Sequence, residues 1–322
     1  MPMGLVKGMV ERLTVGLVGA RGYAGREFLR LLDHHPNLDL AFAASRRLSG
    51  QPVREVVPDW NGDENFVDPS PELVSSSGAD VAVLALPNGL SAEYVAAIPT
   101  ETVVVDLSAD HRFDEQWAYG LPELGRSDLI GGTRIANPGC YATAAMLGLA
   151  PIGADLDAEP AAFGVSGFSG AGTDPSPKND PEALRDNVMP YRITGHVHER
   201  EISHRLGRAV RFAPAVAPFE RGLVVTVLAK LTTPTTAGEF TARYVDRYGG
   251  EALIEITDAV PLPRGAAGRP GAVIGGFSVD DIDARRVGVV VALDNLLKGA
   301  ASQAVQNINL ACGFDELAGI RV

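Results

Sequence analysis

Residues 14–25 read Thr-Val-Gly-Leu-Val-Gly-Ala-Arg-Gly-Tyr-Ala-Gly, a short apolar run that ends in a glycine turn and opens into a helical pattern. The run predicts a strand. Gly19, Gly22 and Gly25 predict a tight turn whose backbone can approach a pyrophosphate at the N–H end of the next helix. The spacing is GxxGxxG, a variant of the commoner dinucleotide fingerprint. A glycine motif alone also suits an ordinary βα turn, and its place after the first strand is what argues for a nucleotide. Arg21 and Tyr23 lie in the same turn and join the glycines as candidate cofactor contacts. At the end of the second apolar run stands Ser45-Arg46-Arg47, where an acidic residue would bind the ribose 2′-hydroxyl of NAD. A hydroxyl and two guanidinium groups suit a 2′-phosphate instead, so NADP(H) is the expected cofactor; the same arginines would also serve as solvated surface charges.

Working outward, LDLAFAAS (38–45), VAVLAL (81–86) and VVVDLSA (103–109) alternate with helical patterns at about 24–33 and 92–97. Continuous apolar strands separated by helices predict a Rossmann-type α/β unit with a parallel sheet buried on both faces. From about Ala161 the chain turns β-rich, which predicts a second, α+β unit with a mixed or antiparallel sheet. Residues 295–309 carry Leu296, Leu297, Ala300, Ala304, Val305 and Ile308 at helical spacing and read as an amphipathic helix. The expected division is a cofactor-binding domain at 1–139, a catalytic and dimerisation domain at 140–295, and a returning helix in 296–322.

The 322 residues carry a net charge of −12, which argues against nucleic-acid or anionic-membrane partners. No apolar run is long enough to span a bilayer, and MPMGLVKGMVERL at the N-terminus lacks the apolar core of a leader, so the cytoplasm is expected. Only Cys140 and Cys312 occur, which excludes a disulfide scaffold and leaves no zinc pattern; no metal is expected.

Asn137-Pro138-Gly139-Cys140-Tyr141 is followed by the helix-forming ATAAMLGLA, so Cys140 is predicted at a helix N-terminus. Free N–H groups there favour the thiolate, the form that attacks carbonyls, and can also receive an oxyanion. A buried structural cysteine is the other reading of a lone thiol. Of the histidines, His34 and His35 read as a solvated helix end. His196 and His198 remain as acid/base candidates, and on an extended segment their spacing alone does not separate them.

The Cys140 segment resembles the active-site motif of the N-acetyl-gamma-glutamyl-phosphate reductase family, related to aspartate-semialdehyde dehydrogenase. GARGYAG, ALPNG (85–89), DLSADHR (106–112), SGFSGAG (166–172), GHVHEREI (195–202) and DNLLKGAASQAVQNINL (294–310) resemble the same family in the same order, over nearly the whole chain. This resemblance implies NADPH-dependent reduction of an acyl phosphate through a thioester on Cys140, with His196 as acid/base. It implies Arg112, Asn137, His198, Glu201 and Arg221 as substrate groups; an acyl phosphate carrying a carboxylate demands cations near Cys140, which adds Lys178 and Arg192 as candidates. It also implies Pro87, Ser169, Gly170 and Asn295 as cofactor contacts and a homo-oligomer, dimer or tetramer; the glycine-rich 166–172 stretch reads by its backbone amides as a phosphate cradle and equally as a flexible loop. The chain departs from the family pattern at Asn88, at His111 and in His196-Val197-His198-Glu199-Arg200-Glu201. These departures keep open another acyl phosphate, such as aspartyl or carrier-linked aminoadipyl phosphate. A NADP-binding redox sensor is the remaining alternative.

Overall fold

The computed structural model describes residues 12–321; most of the N-terminal stretch read above for a leader lies outside them. Its first unit runs β1 (Leu13–Val18), α1 (Tyr23–Asp33), β2 (Leu38–Ala44), α2 (Pro71–Ser76), β3 (Val81–Leu84), α3 (Ala92–Ala97), β4 (Val103–Asp106), β5 (Ala118–Tyr119), α4 (Pro122–Leu129) and β6 (Arg134–Ala136). The strands form a parallel sheet of order β2-β1-β3-β4-β6-β5. Because β2 and β3 lie on opposite sides of β1, the direction of the strand order reverses there, and a crevice opens beyond the carboxyl ends of β1 and β3. The apolar strands are covered twice, as their unbroken hydrophobicity requires. Val15, Leu17, Val81 and Val83 pack with Phe28, Leu29 and Leu32 of α1 on one face. Val18, Ala82, Leu84 and Val104 pack with Val74, Tyr94 and Ile98 on the other.

The second unit runs α5 (Cys140–Leu149), β7 (Ala161–Gly167), α6 (Pro181–Leu184), β8 (Met189–Pro190), α7 (Val197–Leu206), β9 (Arg211–Ala217), β10 (Leu223–Lys230), α8 (Ala237–Tyr248), β11 (Ile254–Ile256), α9 (Pro263–Ala266), β12 (Ala272–Val279) and β13 (Arg286–Leu293). The sheet is mixed, in the order β11-β12-β13-β10-β7-β9-β8. Its inner residues, among them Val225, Val227, Val289 and Val291, pack with Ala145 and Leu149 of α5 and with Phe240 and Tyr244 of α8. On the opposite face Phe163, Thr226 and Val290 stand in register across three strands, and Val165 pairs with Val224 across two. Phe163 and Leu228 are exposed there at 45% and 59%, so this apolar face is uncovered in the single chain.

Three sequence expectations need correction. The helix expected at 295–309 begins only at Ala301, as α10 (Ala301–Ala311), after a tight turn through 295–300; Ala300 leaves helical geometry with φ −158°. Nor does α10 present a polar face to solvent: Ser302, Gln303, Gln306, Asn307 and Asn309 are buried along with its apolar residues. Ala301, Ala304, Val305 and Ile308 pack into the first sheet's core beside Phe28 and Val15. Its polar side chains are bonded internally: Asn307 donates to Gly120 O, and the Lys298 ammonium, fully buried, reaches Glu123 at 2.6 Å and Gln306 at 2.7 Å. His35, read as solvated, is also buried, with Nε2 at 2.9 Å from Asn309 Oδ1.

Candidate active site

The crevice at the reversal point is shaped by glycine. Gly19 has φ +88°, and a Cβ there would lie 2.1 Å from Ala85 O; on Gly25 it would lie 2.8 Å from Gly19 O. Neither position admits a side chain, so the turn is held close both to α1 and to the strand end that continues into Pro87. No side chain caps α1 and its first turn has no acid, which leaves its N–H groups and positive dipole end available to an anion. Ser45 is buried at the end of β2, and Arg46 and Arg47 are exposed beside it. Arg21 is 3.1 Å from the Asp174 carboxylate and Arg47 is 4.0 Å from the same oxygen, so two guanidinium groups gather at one rim, while Arg46 lies 4.0 Å from Asp68. A pyrophosphate at the turn and a phosphate near the arginines fit this donor set.

Cys140 is the first residue of α5, with Gly139 in extended geometry before it. Two glycines wall the thiol. A Cβ on Gly299 would lie 2.6 Å from the Cys140 Cβ, and one on Gly139 would lie 2.1 Å from His198 Nε2 and 2.6 Å from Arg112 Nη1. Glu201 fixes the approach: its Oε1 accepts from the Gly139 N–H at 3.0 Å and the Tyr119 hydroxyl at 2.8 Å, and its Oε2 accepts from Arg112 Nη1 at 2.9 Å. Burial pushes the Cys140 thiol up to about 11; the Tyr141 N–H and the Arg112 guanidinium pull the other way, and the Glu201 carboxylate adds to the rise. The lowering expected from the helix N-terminus is present in sign and is outweighed by desolvation.

The histidine segment is not extended. His196 is the N-cap of α7, its Nδ1 accepting the His198 N–H at 3.1 Å. The two imidazoles stand 4.9 Å apart, centroid to centroid, and His196 packs edge-on against Tyr191 at 5.6 Å. Burial lowers His196 to about 4, helped by the Arg192 and Lys178 charges and opposed by Glu199. Burial likewise holds His198 well below the usual imidazole range, with Arg112 and His196 adding to it. His198 Nδ1 is buried without a partner.

The other expected site residues are placed unevenly. Arg112 is buried, donating to Asn137 O, Glu201 and Leu107 O, and Asn137 is tied to Ala300 O and Asn307. Glu201 has no open surface. Arg221 bonds Asp294 at 2.7 Å and Glu27 at 3.3 Å, joining the 294–300 turn to α1, and its Nη2 is buried and unpartnered. Asn295 spends its carboxamide on Gly222 N and Ser169 Oγ, and Gly170 lies against Ser166 Oγ. The amides of Gly167, Phe168 and Ser169 bond carbonyls at 219–222, so the 166–172 stretch is a pinned turn and those three amides are not free to cradle a phosphate. Of the departures from the family pattern, His111 Nδ1 meets Asp106 at 2.7 Å while its ring stacks on Trp117, and Asn88 accepts the Ala109 N–H. Sequence reasoning gave no role to Gly299 or Tyr191; a glycine inside a helical pattern was the available signal for the first.

Residues 14–131 match the model of the semialdehyde dehydrogenase NAD binding domain, and residues 140–295 that of the semialdehyde dehydrogenase dimerisation domain. A Xanthomonas euvesicatoria protein named N-acetyl-gamma-glutamyl-phosphate reductase is 51% identical, the alignment covering 97% of this chain and 99% of that one. One of the same name from Stenotrophomonas maltophilia is 50% identical over 95% and 98%. Among solved structures, aspartate semialdehyde dehydrogenase II from Vibrio cholerae superposes with a TM-score of 0.78 at 21% identity, over 94% of this chain and 99% of that one. The Candida albicans aspartate semialdehyde dehydrogenase with NADP gives 0.71 at 16%, again over 94% and 99%. With two domain models accounting for most of its length and relatives half identical from end to end, the chain belongs to the N-acetyl-gamma-glutamyl-phosphate reductase family, within the semialdehyde dehydrogenase fold.

Proposed function

We propose that this protein reduces N-acetyl-gamma-glutamyl phosphate to the semialdehyde with NADPH, in arginine biosynthesis, through a thioester on Cys140. The observation that carries the covalent step is the slot around that thiol: a helix N-terminus, two glycine walls, and a carboxylate that grips the preceding peptide. Arg112 stands near enough to influence the thiol and has N–H groups beyond its three protein bonds, which suits it to the leaving phosphate. As the thiol gives up its proton, Sγ bonds the acyl carbon, the carbon–oxygen bond to phosphate breaks, and phosphate departs carrying that proton. The Cys140 and Tyr141 N–H groups, which act on the thiol itself, would receive the oxygen that becomes negative.

Gly19, Gly22 and Gly25 with Tyr23 would hold the pyrophosphate, and Arg21, Ser45, Arg46 and Arg47 the 2′-phosphate, with Pro87, Ser169, Gly170 and Asn295 lining the nicotinamide end. When bound, the reduced cofactor supplies hydride to the thioester carbon. His196, neutral and with Nδ1 occupied as an acceptor, keeps its proton on Nε2, where it serves as donor to the developing oxygen. The resulting thiohemiacetal oxyanion, held by that hydrogen bond, collapses to the aldehyde and expels the Cys140 thiolate, which takes up a proton from water. Asn137, His198 and Glu201 shape this site, and Arg221 ties it to α1. The domain boundaries proposed are 139/140 and 295/296, and cytoplasmic location is supported by two unpaired cysteines; among the described residues no helix is long and apolar enough to cross a membrane.

The test is phosphate-dependent NADP reduction with N-acetylglutamate semialdehyde. Cys140→Ser is expected to lose activity by on the order of 10⁵-fold, and His196→Asn by about 10²–10⁴-fold, both with unchanged NADPH binding. Near-normal turnover of the serine variant ends the thioester reading.

A further inference from the structure

Two of the cations considered for the substrate are already paired with carboxylates, Arg112 with Glu201, keeping two N–H groups for the phosphate, and Arg221 with Asp294 and Glu27. Arg185 is held by Glu182. Lys178 and Arg192, by contrast, take part in no ion pair among the described residues. Both belong to the stretch between β7 and α7, and both lie close enough to His196 to oppose its protonation.

Their placement relative to the thiol follows a row of rings. Lys178 Nζ sits 4.7 Å from the centre of the Tyr191 ring. Tyr191 packs on His196, His196 packs on His198, and His198 abuts Gly139 beside Cys140. Tyr191 itself is near enough to Cys140 for a thiolate there to raise its hydroxyl, on top of the larger effect of burial. Arg192 is one of only two non-glycine residues with positive φ among those described, at +41°. The other is Asp186, whose short polar side chain tolerates that region. A bulky arginine there stores backbone strain that glycine would relieve, and such strain collects where a side chain must be aimed at a ligand.

We infer that Lys178 and Arg192 form the subsite for the carboxylate at the far end of the acyl-phosphate substrate, with Tyr191 as the wall along which its carbon chain lies. This rests on the reading of the chain as an N-acetyl-gamma-glutamyl-phosphate reductase. In that substrate two methylenes and one further carbon separate the acyl carbon from the carboxylate, a reach of about 5 Å at ~1.5 Å per bond. An anion bound there meets two uncompensated cations on an aromatic floor, where charge-assisted bonds form at little cost in displaced partners. Arg112 is then left to the phosphate end, and the two ends of the substrate are told apart by position.

The experiment compares two aldehydes, N-acetylglutamate semialdehyde and 4-acetamidobutanal, which lacks the carboxylate, in phosphate-dependent NADP reduction. Wild type should favour the first in kcat/KM by about a hundredfold, as expected for two charged hydrogen bonds. Lys178→Met and Arg192→Gly should each raise KM for the carboxylated aldehyde about tenfold, with kcat and NADP affinity unchanged and no fall in thermal midpoint. Both should leave 4-acetamidobutanal unaffected, and Arg192→Lys should recover part of the loss. Variants that keep the wild-type preference overturn the subsite, as do losses that fall equally on both aldehydes. Wild-type protein inactive on both aldehydes would instead defeat the underlying reading of the reaction.

Discussion

A thiol at the first position of a helix is ordinarily drawn toward thiolate, and Cys140 is held the other way because the walls that position it also keep water out. The sign follows directly: burial disfavours the charged form, so the folded pKa rises and the thiolate fraction at neutral pH falls below that of a free cysteine. Alkylation of the ligand-free protein by iodoacetamide at Cys140 is therefore expected to keep accelerating, by about tenfold per pH unit, through pH 9 and 10 toward a midpoint near 11. A plateau below pH 8 would show that the dipole outweighs burial. Cysteine, glycine turn and arginine pair were all legible in the chain, because each residue type carries its own chemistry. Gly299 was not, since its requirement comes from a Cys140 side chain 159 positions away.

Elements differed in legibility for a related reason. Strands β1 to β4 announce themselves because both faces need apolar cover. Helix α7 does not: it opens on a histidine cap outside the usual Ser, Thr, Asp and Asn set, and its polar HEREISHRL reads equally as loop. Helix α10 was found but turned the wrong way, because its polar stripe looks like a solvent face until its buried partners are known. In α7 the decisive residue is Glu201, which joins the helix to the Cys140 peptide and to Arg112. Glu201→Gln removes one member of a buried ion pair and is expected to destabilise by about 3–5 kcal/mol. Urea unfolding would measure this, and a loss below 1 kcal/mol would mean that the Arg112 interaction is dispensable to the fold.

Across the whole molecule, the two sheets solve burial differently: the parallel one is covered on both faces, the mixed one on a single face. An open sheet face carrying Phe163, Val165, Val224 and Leu228 has the chemistry of a self-association surface, and it lies within the residues that match the dimerisation-domain model. Phe163→Lys with Leu228→Lys is expected to shift the protein to a monomer by light scattering, with far-ultraviolet circular dichroism preserved; an unchanged mass would place self-association elsewhere. The core of the first sheet raises a different matter, the order of synthesis. Its cover by α10 is encoded roughly 200 residues after β4, so at about 5–20 residues per second roughly 10–40 s pass on the ribosome before that cover emerges. During that interval the apolar cleft beside α1 lacks its cover, and the nucleotide-binding half must wait for the returning helix to complete its core.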